Sequence, residues 1–217
     1  MEWFNGKDAQ LQKAIDLDSP RGVEEAVRAG ADSNAKGQHD ITPLMYAVGH
    51  FRKAAYKALL YLGADTAQRD AEGDNAITLA VDAYQRDPDF LLLAIHAGGD
   101  PNTRRADNDP ILIRFINERN LPAIRMMKEA GADIDARNRS HRPLIVYAGL
   151  IEFWDVVWCL LELGARFDYA DEPFTMTETF NSPKVTPPDS PLYPPKVKVW
   201  QFLRDHGVRV PASPGGR

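Results

Sequence analysis

A chain of 217 residues with a formal charge of −5 and an apolar fraction of 44% has the balance of an ordinary soluble protein. No stretch approaches the roughly 18 to 20 apolar residues that cross a bilayer. The acidic balance argues against nucleic acid as the main partner, and the lone cysteine, Cys159, excludes an intramolecular disulfide. Length alone allows one domain or two, so the elements must decide.

In chain order, the first apolar stripe is Leu11, Ala14 and Ile15, while Gln10, Gln12 and Lys13 make its outer side polar. Ser19-Pro20 then starts a second helix as N-cap and first residue, where proline's missing N–H costs nothing. Val23, Ala26 and Val27 face inward, and Trp3 and Phe4 are expected to fold over the exposed end. The two-helix unit returns behind Thr42-Pro43-Leu44. Thr42 should bond within its own turn, Leu44 and Ala47 pack between helices, and Ala58, Leu59 and Leu60 fill the second helix. A third unit begins at Ala76-Ile77 and runs through Leu79, Ala80, Phe90, Leu91, Leu92, Leu93 and Ile95, with about two extra residues around Arg86 to Asp89. A fourth begins at Pro110-Ile111 and continues with Leu112, Phe115, Leu121, Ile124, Met126 and Met127; Pro122 falls near the start of its second helix. The fifth, Arg142 to Ala165, opens with Pro143-Leu144 and stops at Gly164, glycine reaching the left-handed conformation without a side-chain penalty. Cys159 lies there among Val156, Val157, Leu160 and Leu161, the setting of a buried, inert thiol.

Two markers keep one period. The openings at 43, 76, 110 and 143 are 33, 34 and 33 residues apart, and the stops at Gly30, Gly63, Gly98, Gly131 and Gly164 are 33, 35, 33 and 33 apart. A pair of short helices cannot bury both faces alone, so such repeats stack, which decides for a single elongated domain. The stops share a turn chemistry: Asp32-Ser-Asn34, Asp100-Pro-Asn102 and Asp133-Ile-Asp135 can fold back on local backbone. After Asp171 the composition changes. Nine of the 16 prolines lie beyond Glu172, which predicts no regular helix over 171–195, only disorder or a functional loop. Phe174, Phe180 and Tyr193 have no core of their own there. They are either folded back on the stack, held by Phe153, Trp154 and Trp158, or offered to a partner. Val197, Trp200 and Leu203 then share a helical face that Gly207 ends.

The openings TPL and the recurring GAD followed by Asn or Asp resemble the ankyrin repeat over roughly residues 8 to 170. The resemblance implies an all-α ankyrin-repeat solenoid of about five repeats with a C-terminal half-repeat cap. Its parts would be an N-terminal capping repeat over 1–34, repeats over 35–170, a proline-rich insertion over 171–195, a capping helix over 196–210 and a mobile tail over 211–217. Asn75-Ala76 in place of Thr-Pro, and Arg166 in place of the last aspartate, depart from the pattern and are expected to loosen their turns.

In the ankyrin pattern, loop tips and first helices line a concave face that meets a protein partner. Carried over, the tips are Lys36, Gln38, His39 and Ile41; Arg69, Glu72 and Asp74; Arg104, Arg105 and Asp107; and Arg137, Arg139 and His141. Tyr46, His50, Asp82, Asn117 and Tyr147 join them from the first helices, although Tyr147 stands where alanine usually packs and is expected in the core. The middle tips are acidic (Asp70, Glu72, Asp74) and the later two basic (Arg104, Arg105, Arg137, Arg139, Arg142). Charges of both signs fix a partner's register and speed encounter more than they add affinity.

Signals for catalysis are missing. His39, His50, His96, His141 and His206 do not pair at metal-ligand spacing, and one cysteine cannot make a zinc set. There is no GxSxG, no HExxH and no phosphate-binding glycine loop. The sequence therefore predicts no catalytic residue, no metal and no cofactor, but a module that binds protein. Its divergent repeats and proline-rich C-terminal insertion are similar to those of small bacterial ankyrin proteins that are exported as immunity proteins. Those proteins block antibacterial effectors in the periplasm, such as phospholipases delivered by type VI secretion. A cytoplasmic scaffold or regulator of an enzyme or transcription factor is the alternative reading. A third is a hydrolase with an unrecognised site, which would lose activity on mutation of His141 or Asp74. MEWFNGKDAQ lacks an apolar run after a basic start, so the chain is expected to be either cytoplasmic or a mature segment whose export signal was removed.

Overall fold

The structure, a computed structural model, describes residues 3–169, 175–180 and 186–215. Among the described residues the regular elements are helices, and the contacts divide the chain into two units, Met1–Asp107 and Asn108–Arg217.

The first unit holds three helix pairs: α1 (Asp8–Asp16) with α2 (Pro20–Arg28), α3 (Pro43–Gly49) with α4 (Lys53–Tyr61), and α5 (Ala76–Ala83) with α6 (Asp89–His96). First helices pack α1 on α3 on α5, and second helices α2 on α4 on α6. Local chemistry sets the starts. Ser19 Oγ accepts from the Gly22 N–H at 3.1 Å, and Thr42 Oγ1 accepts from the Met45 N–H at 3.3 Å. Asn75 does not loosen its turn. Its side chain accepts from the Ile77 and Thr78 N–H groups at 3.1 and 2.9 Å while Thr78 Oγ1 accepts back from the Asn75 N–H at 2.9 Å, a reciprocal cap that satisfies donors Thr-Pro would have handled differently.

Gln12 is not on a polar outer side: it is 6% exposed. Its Oε1 accepts from the Trp3 and Phe4 N–H groups at 2.8 and 3.2 Å, and its Nε2 donates to the Tyr46 hydroxyl at 3.3 Å. Trp3 and Phe4 accordingly rest on the Tyr46 ring of the second repeat, at 6.3 and 6.0 Å. A polar residue inside an apolar stripe becomes tolerable because both ends of its amide are engaged.

Tyr56 lies deep in this unit, its ring edge-on to Phe90 at 5.2 Å, and its hydroxyl has no hydrogen-bond partner among the described residues. A buried orphan hydroxyl costs on the order of 1 kcal/mol or more. Tyr56→Phe is therefore expected to stabilise the protein by about 1 kcal/mol in urea denaturation at neutral pH. Burial also pushes the Tyr56 phenol well above its ordinary value of 10.0. The unfolded phenol ionises first, so this contribution to stability is present below about pH 10 and is lost as pH rises further. Tyr56→Phe should flatten that alkaline decline.

The second unit holds α7 (Leu112–Asn117) with α8 (Leu121–Glu129) and α9 (Leu144–Leu150) with α10 (Trp154–Glu162), followed by α11 (Met176–Phe180), which packs on α9, and α12 (Tyr193–Asp205), which packs on α10. The sequence reading gives no helix over 171–195, yet MTETF forms the short α11, seated on α9. Contact with its neighbours supplies what propensity does not: Phe180 packs tilted against Trp154 of α10 at 4.7 Å, and Thr179 lies over Gly149 of α9, where a Cβ would stand 2.7 Å from Thr179 Cγ2. Gly149→Ala gains about 1 kcal/mol of helix propensity but forces α11 away, an overpacking cost of about 1 to 3 kcal/mol. Net destabilisation of about 1 kcal/mol is expected, read as a lower urea midpoint. Phe174 lies outside the described residues.

α12 begins at Tyr193, because Pro194 and Pro195 fit a first turn. Its stripe against α10 is Lys196, Val199, Trp200 and Leu203, with Val197 only half-buried. The Trp200 indole N–H donates to the Pro211 carbonyl at 2.9 Å, tying the start of the tail.

One device recurs inside both units. Four of the pairs are joined by the short turns 17–19, 50–52, 118–120 and 151–153, whose middle residues Asp18, Phe51, Arg119 and Glu152 have φ of 48°, 55°, 52° and 65°. Glycine would adopt this conformation freely. Here each side chain reaches the following pair instead. Asp18 accepts from the Ala55 N–H at 2.8 Å, Phe51 packs on Phe90 at 5.9 Å, Arg119 grips Asp155 at 2.8 Å, and Glu152 meets Lys196 at 3.4 Å. The pair α5–α6 has the longer link 84–88 and no positive φ in it. Arg119→Gly relieves about 1 kcal/mol of backbone strain and loses an exposed ion pair worth about 0 to 1 kcal/mol. Its denaturation midpoint is expected within about 0.5 kcal/mol of wild type.

Candidate binding surface

Loop tips become a usable surface only if their backbones are held. In the first unit the Gly37 N–H donates to the Ile41 carbonyl at 2.9 Å and the Asp70 N–H to the Asp74 carbonyl at 2.9 Å. Asp70 Oδ1 accepts from the Glu72 and Asp74 N–H groups at 3.0 and 2.9 Å, closing that tip from inside. Neighbouring tips are then tied together. The Ala71 N–H donates to the His39 carbonyl at 2.9 Å, Lys36 Nζ to the Arg69 carbonyl at 3.3 Å, and the Arg69 guanidinium to the Arg104 carbonyl at 2.9 Å and also to the Gly73 carbonyl.

Several residues expected to meet a partner are engaged in this framework. Arg69 braces two tips. Arg105 holds Asp82 through two bonds of 3.0 Å, which keeps its guanidinium pKa raised. Tyr46 is 6% exposed and its hydroxyl donates to Asp16 at 2.7 Å, so it belongs to the interior and not to the exposed surface expected of it; the fold of Trp3 and Phe4 over its ring is the reason. His50 is exposed, its ring 4.0 Å from Tyr46 and its Nδ1 2.9 Å from the Tyr46 carbonyl. Lys36, Gln38, His39, Glu72 and Asp107 are exposed, while Ile41, Asp74 and Arg104 are half-buried.

The second unit repeats the construction. The Asn138 N–H donates to the Arg142 carbonyl at 2.9 Å, and Asn138 Oδ1 accepts from the Ser140 and Arg142 N–H groups at 3.0 Å each. Asp109 accepts from the Arg139 N–H at 2.6 Å, and Arg137 donates to the His141 carbonyl at 2.9 Å. Arg139 and His141 are exposed and Arg137 half-buried. Tyr147 is not core. It is half-exposed, and its hydroxyl donates to the exposed Asn117 at 2.8 Å, because the first helices leave that position facing outward.

Asp70, Asp109 and Asn138 are the tip-holding residues that sequence reasoning missed. A signal existed: Asp70 and Asn138 stand two periods apart at the entrance of a tip, where an acceptor can reach N–H groups two and four residues ahead. The Asx turns after the glycine stops were legible. Asp32, Asp100 and Asp133 accept from the N–H groups of Asn34, Asn102 and Asp135 at 2.8, 2.8 and 2.9 Å. The second acceptor goes further, since Asn34 takes the Asp65 N–H at 2.7 Å and Asp135 the Arg166 N–H at 2.7 Å, one repeat on.

Among the described residues, no group of three or more His, Cys, Asp or Glu is placed to hold a metal ion. No described helix is long and apolar enough to cross a membrane. Cys159 is buried, and that burial pushes its thiol pKa up.

Stacked pairs of short helices with tied loop tips define the ankyrin-repeat fold, and comparison with solved structures agrees. An ankyrin repeat domain from Acinetobacter baumannii AYE superposes with a TM-score of 0.66 at 19% identity, over 79% of this chain and 89% of that one. The ankyrin repeat domain of Bcl-3, a member of the IkappaB protein family, superposes with a TM-score of 0.64 at 23% identity, over 72% and 70% of the two chains. Neither the protein-family models nor the curated proteins yield a match.

Proposed function

We propose that the chain is a non-catalytic module that binds a protein partner through its loop tips and first helices. The observation that carries this reading is the set of bonds tying consecutive tips, from the Ala71 N–H to the His39 carbonyl at 2.9 Å, from Lys36 Nζ to the Arg69 carbonyl at 3.3 Å and from the Arg69 guanidinium to the Arg104 carbonyl at 2.9 Å, beneath side chains such as His39 and Glu72 that stay exposed. A surface ordered before encounter loses little conformational entropy on binding. The partner we propose is a secreted antibacterial effector, with a phospholipase as the class, and the chain is its immunity protein. It covers the effector's active site, so it needs no chemistry of its own. The similarity to small bacterial ankyrin proteins with a proline-rich C-terminal insertion supports the partner class and a periplasmic site of action.

The test is co-expression with the product of the adjacent gene. Restored growth and one co-eluting species on a sizing column are the expected results; continued toxicity with two separate species rejects the immunity role. A complex that forms with a non-toxic enzyme or transcription factor would favour a cytoplasmic scaffold instead.

A further inference from the structure

Asn5 and Gly6 are the short link between two fixed parts of the first unit. On one side Gln12 Oε1 accepts from the Trp3 and Phe4 N–H groups at 2.8 and 3.2 Å, and the Trp3 carbonyl accepts from the Gln38 N–H at 2.9 Å. On the other side α1 begins, with the Asn5 carbonyl accepting from the Asp8 N–H at 3.1 Å. Both link residues are exposed. A Cβ at Gly6 would meet nothing within 4 Å, and among the described residues neither the Asn5 carboxamide nor the Gly6 N–H has a hydrogen-bond partner.

The other asparagines are placed differently. Asn5 is the one asparagine in the sequence that glycine follows. Asn34, Asn75, Asn120 and Asn138 use their side chains to accept from backbone N–H groups, and Asn117 accepts from the Tyr147 hydroxyl. A carboxamide held in this way cannot swing onto the nitrogen that follows it, whereas that of Asn5 can. The charged neighbours are turned toward the end of α2: Lys7 Nζ lies 3.0 Å from where a Gly30 Cβ would stand, and Asp8 Oδ1 accepts from the Asp32 N–H at 2.8 Å. The link is left to solvent.

We propose that Asn5 is a site of spontaneous deamidation, and that its isoaspartate product opens the N-terminal clasp of Trp3 and Phe4. Hydroxide takes the proton of the Gly6 N–H, and the nitrogen attacks Asn5 Cγ. A new C–N bond closes a five-membered succinimide as the Cγ–Nδ2 bond breaks, and ammonia leaves after taking a proton from water. Water then cleaves either ring C–N bond. Cleavage at Cγ gives aspartate in an unchanged backbone. Cleavage at the main-chain carbonyl gives isoaspartate: the backbone runs through Cβ and Cγ, one methylene longer, and the carbonyl that accepted from Asp8 becomes a free carboxylate. The clasp has no slack to take up the added atom. Phe4 is 2% exposed and lies against Gly37, where a Cβ would stand 3.0 Å from its ring and 2.6 Å from the Trp3 carbonyl oxygen. Release of the clasp strips Gln12 Oε1 of both its donors and uncovers the Tyr46 ring on which Trp3 and Phe4 rest.

The experiment ages the full folded chain at mildly alkaline pH and maps its peptides by mass spectrometry, with isoaspartyl methyltransferase labelling to separate the two products. Conversion at Asn5 at least tenfold faster than at any other described asparagine is expected, with isoaspartate present. The ¹⁵N-labelled aged chain should show amide shifts at Gln12, Gln38 and Tyr46. Asn5→Gln, which cannot close the five-membered ring, should stay unmodified and keep the fresh spectrum. Asn5→Asp carries the new charge in an unlengthened backbone and should also keep it at Gln12 and Tyr46. An intact Asn5 in the folded chain while the urea-unfolded chain converts overturns the proposal, as does equal conversion at other asparagines. Isoaspartate without shifts at Gln12 and Tyr46, or the same shifts in fresh Asn5→Asp, overturns the opening of the clasp by a longer backbone.

Discussion

Replacing Glu152 with alanine is expected to cost about 3 to 5 kcal/mol and to release the C-terminal helices ahead of the rest of the chain. Glu152 Oε2 accepts from the Trp154 indole N–H at 2.9 Å and from the Thr186 hydroxyl, and it lies 3.4 Å from Lys196 Nζ. Lys196 is 1% exposed, with its ammonium 4.9 Å from the Trp154 ring centre and 5.8 Å from that of Phe180. Ring faces contribute about 2 kcal/mol to a desolvated cation, and losing the carboxylate leaves a desolvation penalty of several kcal/mol unmatched. Lys196→Met keeps the volume but leaves the Glu152 carboxylate with only the Trp154 and Thr186 donors, so it should cost about 1 to 3 kcal/mol. Added to Glu152→Ala, it should recover most of the loss. Glu152→Gly controls for the backbone: it relieves the positive φ and should still lose nearly as much.

Urea unfolding followed by tryptophan fluorescence reads this directly, because Trp154, Trp158 and Trp200 all lie in the second unit. Repeat proteins fail at their weakest interface first, so an early transition with a reduced m-value is expected. A loss below about 1 kcal/mol, or one transition with the wild-type slope, would show that the buried pair does not hold the cap.

Phe90→Ala should cost about 3 to 5 kcal/mol, the range for a fully buried aromatic. Phe90 is 0% exposed and receives the ring edges of Tyr56 at 5.2 Å and Phe51 at 5.9 Å. Those rings come from α4 and from the strained turn before it, so the cavity cannot close without moving a residue whose φ is already positive. Equilibrium denaturation of Phe90→Ala and Phe90→Leu separates cavity from contact. The leucine variant should lose less than half as much, and equal losses would show that ring geometry, not volume, decides.

The C-terminal cap marks the boundary of what could be read in advance. Trp154 was legible as a ring beside the proline-rich stretch, and it does hold Phe180. Nothing in MTETF announces a helix, because its five residues lack the length to sustain one and depend on Gly149 leaving room on α9. Lys196 reads as one more polar position, and only its neighbours make it a buried cation. The same holds at the other end, where Gln12 and Tyr46 look like surface residues until Trp3 and Phe4 close over them.

By itself the amino-acid order determined the period, the pairing of helices, their starts at Ser19 and Thr42, and the Asx turns after Gly30, Gly98 and Gly131. All of these arise from interactions within a few residues, where side-chain type and spacing suffice. Tertiary structure alone decided which charges and rings are engaged within the fold: Arg69, Arg105 and Tyr46 are held by groups 23 to 35 residues away. Spacing along a chain cannot show which acceptor a long side chain will find across a stacked neighbour.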